Sequence, residues 1–101
     1  FNEFVRKGVK QVNLTYASQI ALYQAYMDLT DNPALFTVVN KNSCEIYIEF
    51  VDFDKELAQK TSDKAVEILT AVKHDEILPR IAMDSDYFLC KRCEFRNTCW
   101  N

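Results

Sequence analysis

The chain has 101 residues, the length of one domain, and 49% of them are hydrophobic and 13% aromatic. This composition excludes a disordered chain and allows a packed core. No apolar run approaches the ~20 residues that span a bilayer, and no signal peptide is visible, so we expect a cytoplasmic protein without membrane contact. The first residue is Phe1 rather than methionine, which suggests a processed product or part of a longer polypeptide.

The net charge of −3 is unevenly distributed along the chain. Residues 1–19 and residues 90–101 each carry +2, whereas the segment between them carries −7. Surface charges are screened within ~8–10 Å, so local charge matters more than the total. The two basic ends therefore permit a phosphate-binding groove on an otherwise acidic protein.

The predicted elements, in chain order, are a helix, the two strands of a hairpin and a second helix. The stretch "VNLTYASQIALYQAYMDLTDNPA" reads as a helix, with Asn13 or Thr15 as N-cap and a stop before Pro33. It is apolar on two sides: Ile20, Tyr23 and Met27 share one face, and Leu22, Tyr26 and Leu29 share another. Such a helix is expected to pack between two layers.

The segments "LFTVV" and "CEIYIEFVDF", joined by the turn-like residues 40–43, predict an antiparallel hairpin. In the second strand the apolar side chains alternate with polar ones, so one face is expected to meet solvent. The apolar set is Ile46, Ile48 and Phe50, and the opposite set is Glu45, Tyr47 and Glu49.

Asp54 caps a long predicted helix, "KELAQKTSDKAVEILTAVKH". An apolar stripe recurs along it at steps of three and four, formed by Leu57, Thr61, Ala65, Ile68, Leu69 and Val72. The predicted fold is α+β: a single domain, 1–101, in the order helix–hairpin–helix with a cysteine-rich tail at 84–101. A lone hairpin is a poor sheet, so further strands are expected upstream.

Two constellations could carry chemistry. Tyr16, Gln19 and Tyr23 lie on nearly one helical face, where an amide and phenols can orient a carboxylate, a water or a phosphate. The alternative is a helix that buries aromatic rings with polar tips. The second constellation is the tail "LCKRCEFRNTCW", which holds Cys90, Cys93 and Cys99.

A C-x2-C pair lets two thiolates reach one ion, and the longer spacer brings a third, so the tail predicts a metal site. Phe95 and Trp100 are expected to shield it, and the basic residues nearby to offset its negative charge. Disulfides or ordinary reduced cysteines are the alternatives. The fourth ligand is open between Cys44, His74 and a cysteine outside this sequence.

Together, Tyr16-x2-Gln19-x3-Tyr23, a hairpin, a helix and Cys90-x2-Cys93-x5-Cys99 resemble the C-terminal half of RecB-like nucleases of the PD-(D/E)XK superfamily. The cysteines are similar to those of its iron–sulfur branch, which includes CRISPR-associated exonucleases, AddB-type helicase–nucleases and phage exonucleases. The resemblance implies a restriction-endonuclease-like α/β fold and DNA as partner. It also implies catalytic support from Gln19 and Tyr23, and a [4Fe–4S] cluster whose fourth cysteine lies far upstream.

With DNA as the implied partner, Tyr16, Lys91, Arg92 and Arg96 become candidates for contacting it. The family's metal-binding Asp and (D/E)-x-K strand are absent, because only Glu3 is acidic before Gln19. Hydrolysis with Mg²⁺ or Mn²⁺ needs such carboxylates. We therefore expect this chain alone to be inactive, with a missing N-terminal nuclease half or partner chain supplying them.

Two other classes of protein remain alternatives. One is a small zinc-stabilised binding module that uses Cys44 with the three tail cysteines. The other is a structural interaction domain whose cysteines are simply reduced.

Overall fold

A computed structural model describes all residues, Phe1–Asn101. The chain is α+β and divides into two compact units, Phe1–Glu67 and Ile68–Asn101. Its elements are α1 (Asn2–Lys7), α2 (Val9–Val12), α3 (Leu14–Tyr26), β1 (Ala34–Val39), β2 (Ile46–Val51), α4 (Lys55–Lys73), α5 (Phe88–Lys91) and α6 (Arg96–Cys99). None of these helices has both the length and the apolar character required to cross a bilayer.

Two short helices, α1 and α2, precede the first predicted element. They are separated by Gly8, whose backbone angles of φ 80° and ψ 167° belong to a region that is essentially restricted to glycine. The amide of Val9, at the start of α2, donates to Glu49 Oε2 at 2.9 Å. This bond fixes α2 to the second strand, and Val9 is the most deeply buried large apolar residue of the chain.

The helix α3 begins where the sequence predicts. Asn13 Oδ1 accepts from the amide of Tyr16 at 3.1 Å, so Asn13 is the N-cap. The helix ends earlier than expected, at Tyr26, because Asp28 adopts a left-handed conformation (φ 56°). The amide of Leu29 then donates to Gln24 O at 2.8 Å, which is the Schellman pattern of a helix end.

Only one stripe of α3 is buried, and it consists of Ala17, Ala21 and Gln24. Tyr23 and Tyr26, and Met27 just after the helix, are exposed, whereas Ile20 and Leu22 are half-buried. The expectation that α3 packs between two layers is therefore not met in this structure. Small residues on the buried stripe allow the helix a close approach on that side.

The hairpin forms as predicted, with β1 and β2 antiparallel and in register over all six pairs, from Ala34 opposite Val51 to Val39 opposite Ile46. One face of the hairpin meets solvent, as expected, and it is the apolar face. The half-buried inner face carries Phe36 and Glu49, whereas the outer face is open to solvent although it is apolar. That outer face consists of Leu35, Thr37, Val39, Ile46, Ile48 and Phe50, and its five apolar members are 56–71% exposed.

The inner face is the packed one because its side chains make contacts with the helices. Glu49 accepts the amide bond from Val9, and Phe36 packs on Phe4 with ring centroids 5.6 Å apart. Gln24, 4% exposed, donates to the carbonyls of Asn32 (3.0 Å) and Val51 (3.4 Å) and so ties α3 to the end of β2. In β2, therefore, the face that carries Tyr47 and Glu49 is packed, and the apolar face is exposed to solvent.

The long helix α4 starts with the predicted cap, since Asp54 Oδ1 accepts from the amide of Leu57 at 3.0 Å. Its apolar stripe is only partly used: Leu57 and Thr61 are half-buried, whereas Ala65, Ile68, Leu69 and Val72 are exposed. The helix ends like α3, with Asp75 left-handed (φ 53°) and the amide of Glu76 donating to Ala71 O at 2.8 Å. The two short tail helices, α5 and α6, were not predicted.

Candidate functional site

Gln19 and Tyr23 meet on the exposed side of α3. Gln19 Nε2 donates to Tyr23 Oη at 2.8 Å, as the spacing of four residues on one helical face predicts. The tyrosine ring is 56% exposed, so its face is open to a ligand. The pair therefore presents an amide oxygen, a second amide proton and an aromatic surface next to each other.

Tyr16 connects this pair to the sheet. Its ring lies 6.2 Å from that of Phe36 on β1, at an angle of 45°. An open groove of about 480 Å³ runs between α3 and β1 here, and Gln19 is part of its wall. The complete lining is Phe4, Tyr16, Gln19, Ile20, Phe36, Thr37, Val38 and Val39.

The lining shows where the groove sits on the sheet. The lining includes β1 residues from both faces of the strand and no residue of β2. The groove therefore follows the edge of β1 that faces away from β2, where the backbone has no strand partner. None of its lining residues is acidic, so this groove does not hold a divalent metal by itself.

One ion pair of the first unit joins α2 to the start of α4. Lys10 Nζ lies 2.6 Å from Asp54 Oδ2. This contact, with the amide bond from Leu57, lowers the pKa of the Asp54 carboxyl, and the same contact raises the pKa of Lys10. Desolvation, and then the neighbouring Glu49, raise the pKa of Tyr47.

The tail cysteines are all reduced and lie in the second unit. Cys90 is buried in α5, whereas Cys93 and Cys99 are exposed. The amide of Cys93 donates to Cys90 O at 3.1 Å, which closes a tight turn between the members of the C-x2-C pair. Three free thiols within ten residues suit a soft metal by donor type, and they are one short of a four-sulfur site.

Within this unit, no three His, Cys, Asp or Glu side chains converge in a way that could hold a metal ion. Binding would therefore require the exposed thiols to turn toward that of Cys90. The two local candidates for a fourth ligand are both exposed. Cys44 lies in the hairpin turn with φ 62°, rather than in the strand, and His74 follows the last residue of α4.

The aromatic and basic residues near the tail cysteines differ in their exposure and in their contacts. Of the two aromatic residues expected to shield a metal site, Phe95 is 70% exposed and Trp100 is half-buried. Lys91 and Arg92 are exposed and available to a phosphate, whereas Arg96 donates to Asp86 Oδ1 at 3.2 Å.

One residue that contacts the tail was missed in the sequence analysis. Arg80 Nε donates to Cys99 O at 2.9 Å, and its guanidinium carbon lies 4.5 Å from the centre of the Trp100 ring. A basic residue shortly before a cysteine-rich tail carries no signal that predicts such a contact.

Comparisons with protein-family models, curated proteins and solved structures found no match to this chain.

Proposed function

We propose that this chain is the C-terminal portion of a RecB-like PD-(D/E)XK nuclease of the phage or CRISPR type, within a restriction-endonuclease-like fold. In this role it supplies the Q-x3-Y helix and three cysteine ligands to a metal-dependent DNA exonuclease. The setting we propose is the cytoplasm, that of the host if the protein is phage-encoded. The observation that supports the proposal best is the hydrogen-bonded pair of Gln19 and Tyr23 on the exposed side of α3, of which Gln19 also lines the groove beside β1.

The unpaired edge of β1 supports the idea that further strands belong here. β1 has the sequence "ALFTVV", with five apolar residues and no charge or proline. Exposed strand edges are usually protected by charges, prolines or bulges, and β1 has none of these. Strands buried on both faces have this continuous apolar character. In our proposal the carboxylate-bearing strands of the nuclease extend the sheet at this edge.

DNA would then lie against the open side of α3. Aromatic side chains stack on bases, and a tyrosine so used contributes ~1–3 kcal/mol per base. Tyr16 and Tyr23 are the exposed rings on either side of Gln19. The catalytic Mg²⁺ or Mn²⁺ would be held by the missing carboxylates, because the groove has none.

The proposal is tested with a fluorescently labelled single-stranded oligonucleotide and the 101-residue protein at low salt. We expect binding that Tyr16→Ala or Tyr23→Ala weakens by about 5- to 150-fold, the equivalent of one lost stacking contact. Tyr26→Ala is the matched control, since Tyr26 is an exposed tyrosine of the same helix that bonds to Ser62 instead.

Equal losses in all three variants would contradict a stacking surface formed by Tyr16 and Tyr23, as would an absence of binding. A second measurement addresses the missing carboxylates. The chain alone should leave single- and double-stranded DNA intact in Mg²⁺ or Mn²⁺. Cleavage that copurifies with the protein would show that it is a complete enzyme and that the proposal is wrong.

A further inference from the structure

The outer face of the hairpin is an exposed apolar surface that the proposed function does not use. We propose that this face binds the same face of a second copy of the chain, so that two hairpins stack into a four-stranded sandwich. The strands of one copy run antiparallel to the strands of the other that they cover. This inference does not depend on the proposed nuclease role.

The first argument is the size and composition of the outer face. Its five apolar side chains are each 56–71% exposed, and its sixth member, Thr37, is uncharged. Together they present roughly 400–500 Å² of contiguous apolar surface, an area that marks interaction sites on soluble proteins. Two such faces in contact bury about 800–1,000 Å², the lower end of the range for specific complexes. Because the face has no charge, it can pack on itself without burying an unpaired ion.

The second argument is that the face fits itself in one orientation. The strand register gives it three rows of side chains, which from the open end of the hairpin to the turn are Leu35–Phe50, Thr37–Ile48 and Val39–Ile46. The open end is the thicker one, because it carries the phenyl ring. In antiparallel stacking the thick end of each copy lies over the thinner turn end of the other, so the two sheets keep an even spacing of ~10 Å. Phe50 then packs over Ile46 of the second copy, and Ile48 lies over itself at the two-fold axis.

The third argument is that the charges at the two ends of the hairpin favour the same orientation. Lys41 lies in the turn, Asp52 directly follows β2 at the open end, and both are exposed. The nearby Glu45 accepts a hydrogen bond from Ser43 Oγ at 2.7 Å within its own chain. Antiparallel stacking brings Lys41 of one copy toward Asp52 of the other. Parallel stacking would instead oppose like charges, which is costly across an interface, and would put both phenyl rings at one end.

The test is sedimentation velocity of the 101-residue protein without DNA or metal. The concentration runs from about 1 µM to about 200 µM, because an interface of this size binds weakly. We expect the wild type to form dimers in this range. Ile48→Lys places two like charges at the two-fold axis and should weaken the dimer by roughly 100-fold or more. Ile77→Lys, the same replacement at a 97% exposed isoleucine of the second unit, is the control and should dimerise like the wild type.

Two further variants identify the contact. Ile48→Asp alone should also be monomeric, but its equimolar mixture with Ile48→Lys should form dimers within about tenfold of the wild-type affinity, because the two charges then pair across the axis. Thr37→Lys, on the other strand, should weaken the dimer as strongly as Ile48→Lys, whereas pairing through the edge of β2 would leave it unaffected. Circular dichroism of each variant should match the wild type, since positions 37 and 48 are exposed in the single chain.

Four outcomes would overturn the proposal. They are a wild type that stays monomeric, an equal loss in Ile77→Lys, a mixture of the two Ile48 variants that does not associate, and wild-type dimerisation of Thr37→Lys. None of them bears on the nuclease role, which is tested by binding to DNA.

Discussion

Gly8 is the position at which one methyl group should be most damaging to the first unit. Its backbone conformation is essentially restricted to glycine, and forcing another residue into it costs ~1–3 kcal/mol. An added Cβ would also lie 2.8 Å from Glu49 Oε1. The carboxylate would have to move, and its hydrogen bond to Val9 would be weakened at a cost of about 1 kcal/mol.

Gly8→Ala is therefore expected to lower the free energy of unfolding by about 2–4 kcal/mol, measured by urea denaturation followed by circular dichroism. Lys7→Ala, an exposed neighbour in α1, is the control and should stay within about 0.5 kcal/mol. In a Glu49→Ala background the cost of Gly8→Ala should fall by about 1 kcal/mol, because the close approach is gone. A loss below 0.5 kcal/mol for Gly8→Ala would refute the assigned strain.

Three further outcomes are expected. Asp28→Gly and Asp75→Gly should each raise the free energy of unfolding by ~0.5–1 kcal/mol, measured in urea, because glycine adopts the left-handed helix end without strain. The pKa of Asp54 is lowered from 3.8, so its contribution to stability is present above that value and lost as pH falls through the folded pKa. The difference in Tm between wild type and Asp54→Asn should therefore shrink below about pH 4. Metal analysis of protein purified without oxygen should find iron and sulfide, accompanied by broad visible absorbance. The iron, the sulfide and the absorbance should all be lost when the three tail cysteines are replaced by serine. One tightly held zinc per chain would favour the binding module instead.

The elements of the first unit were predictable where local chemistry decides them. The caps at Asn13 and Asp54, the hairpin and the shared face of Gln19 and Tyr23 all follow from short-range rules, and the structure contains them. The α+β class follows from these elements. The early end of α3 was not predicted, because Pro33 is the stronger stop signal and aspartate is less common than glycine in the left-handed conformation.

Long-range contacts explain the remaining differences. The strand alternation of β2 was read correctly, but which face is packed depends on Glu49 meeting an amide forty residues away. The helices α1 and α2 are short and have little periodicity, so only their packing reveals them. Arg80 was missed for the same reason, since its partner lies nineteen residues further along the chain.

The open outer face of the hairpin affects how the protein tolerates mutation. In the isolated chain these side chains are already mostly hydrated, so replacing Ile48 or Phe50 with a polar residue removes little buried area. If another layer covers the hairpin in a larger assembly, the same replacements disrupt that contact. A mutational scan of this surface should therefore find that polar replacements are tolerated when the solubility of the single chain is measured. The same replacements should be the most damaging ones when assembly is measured.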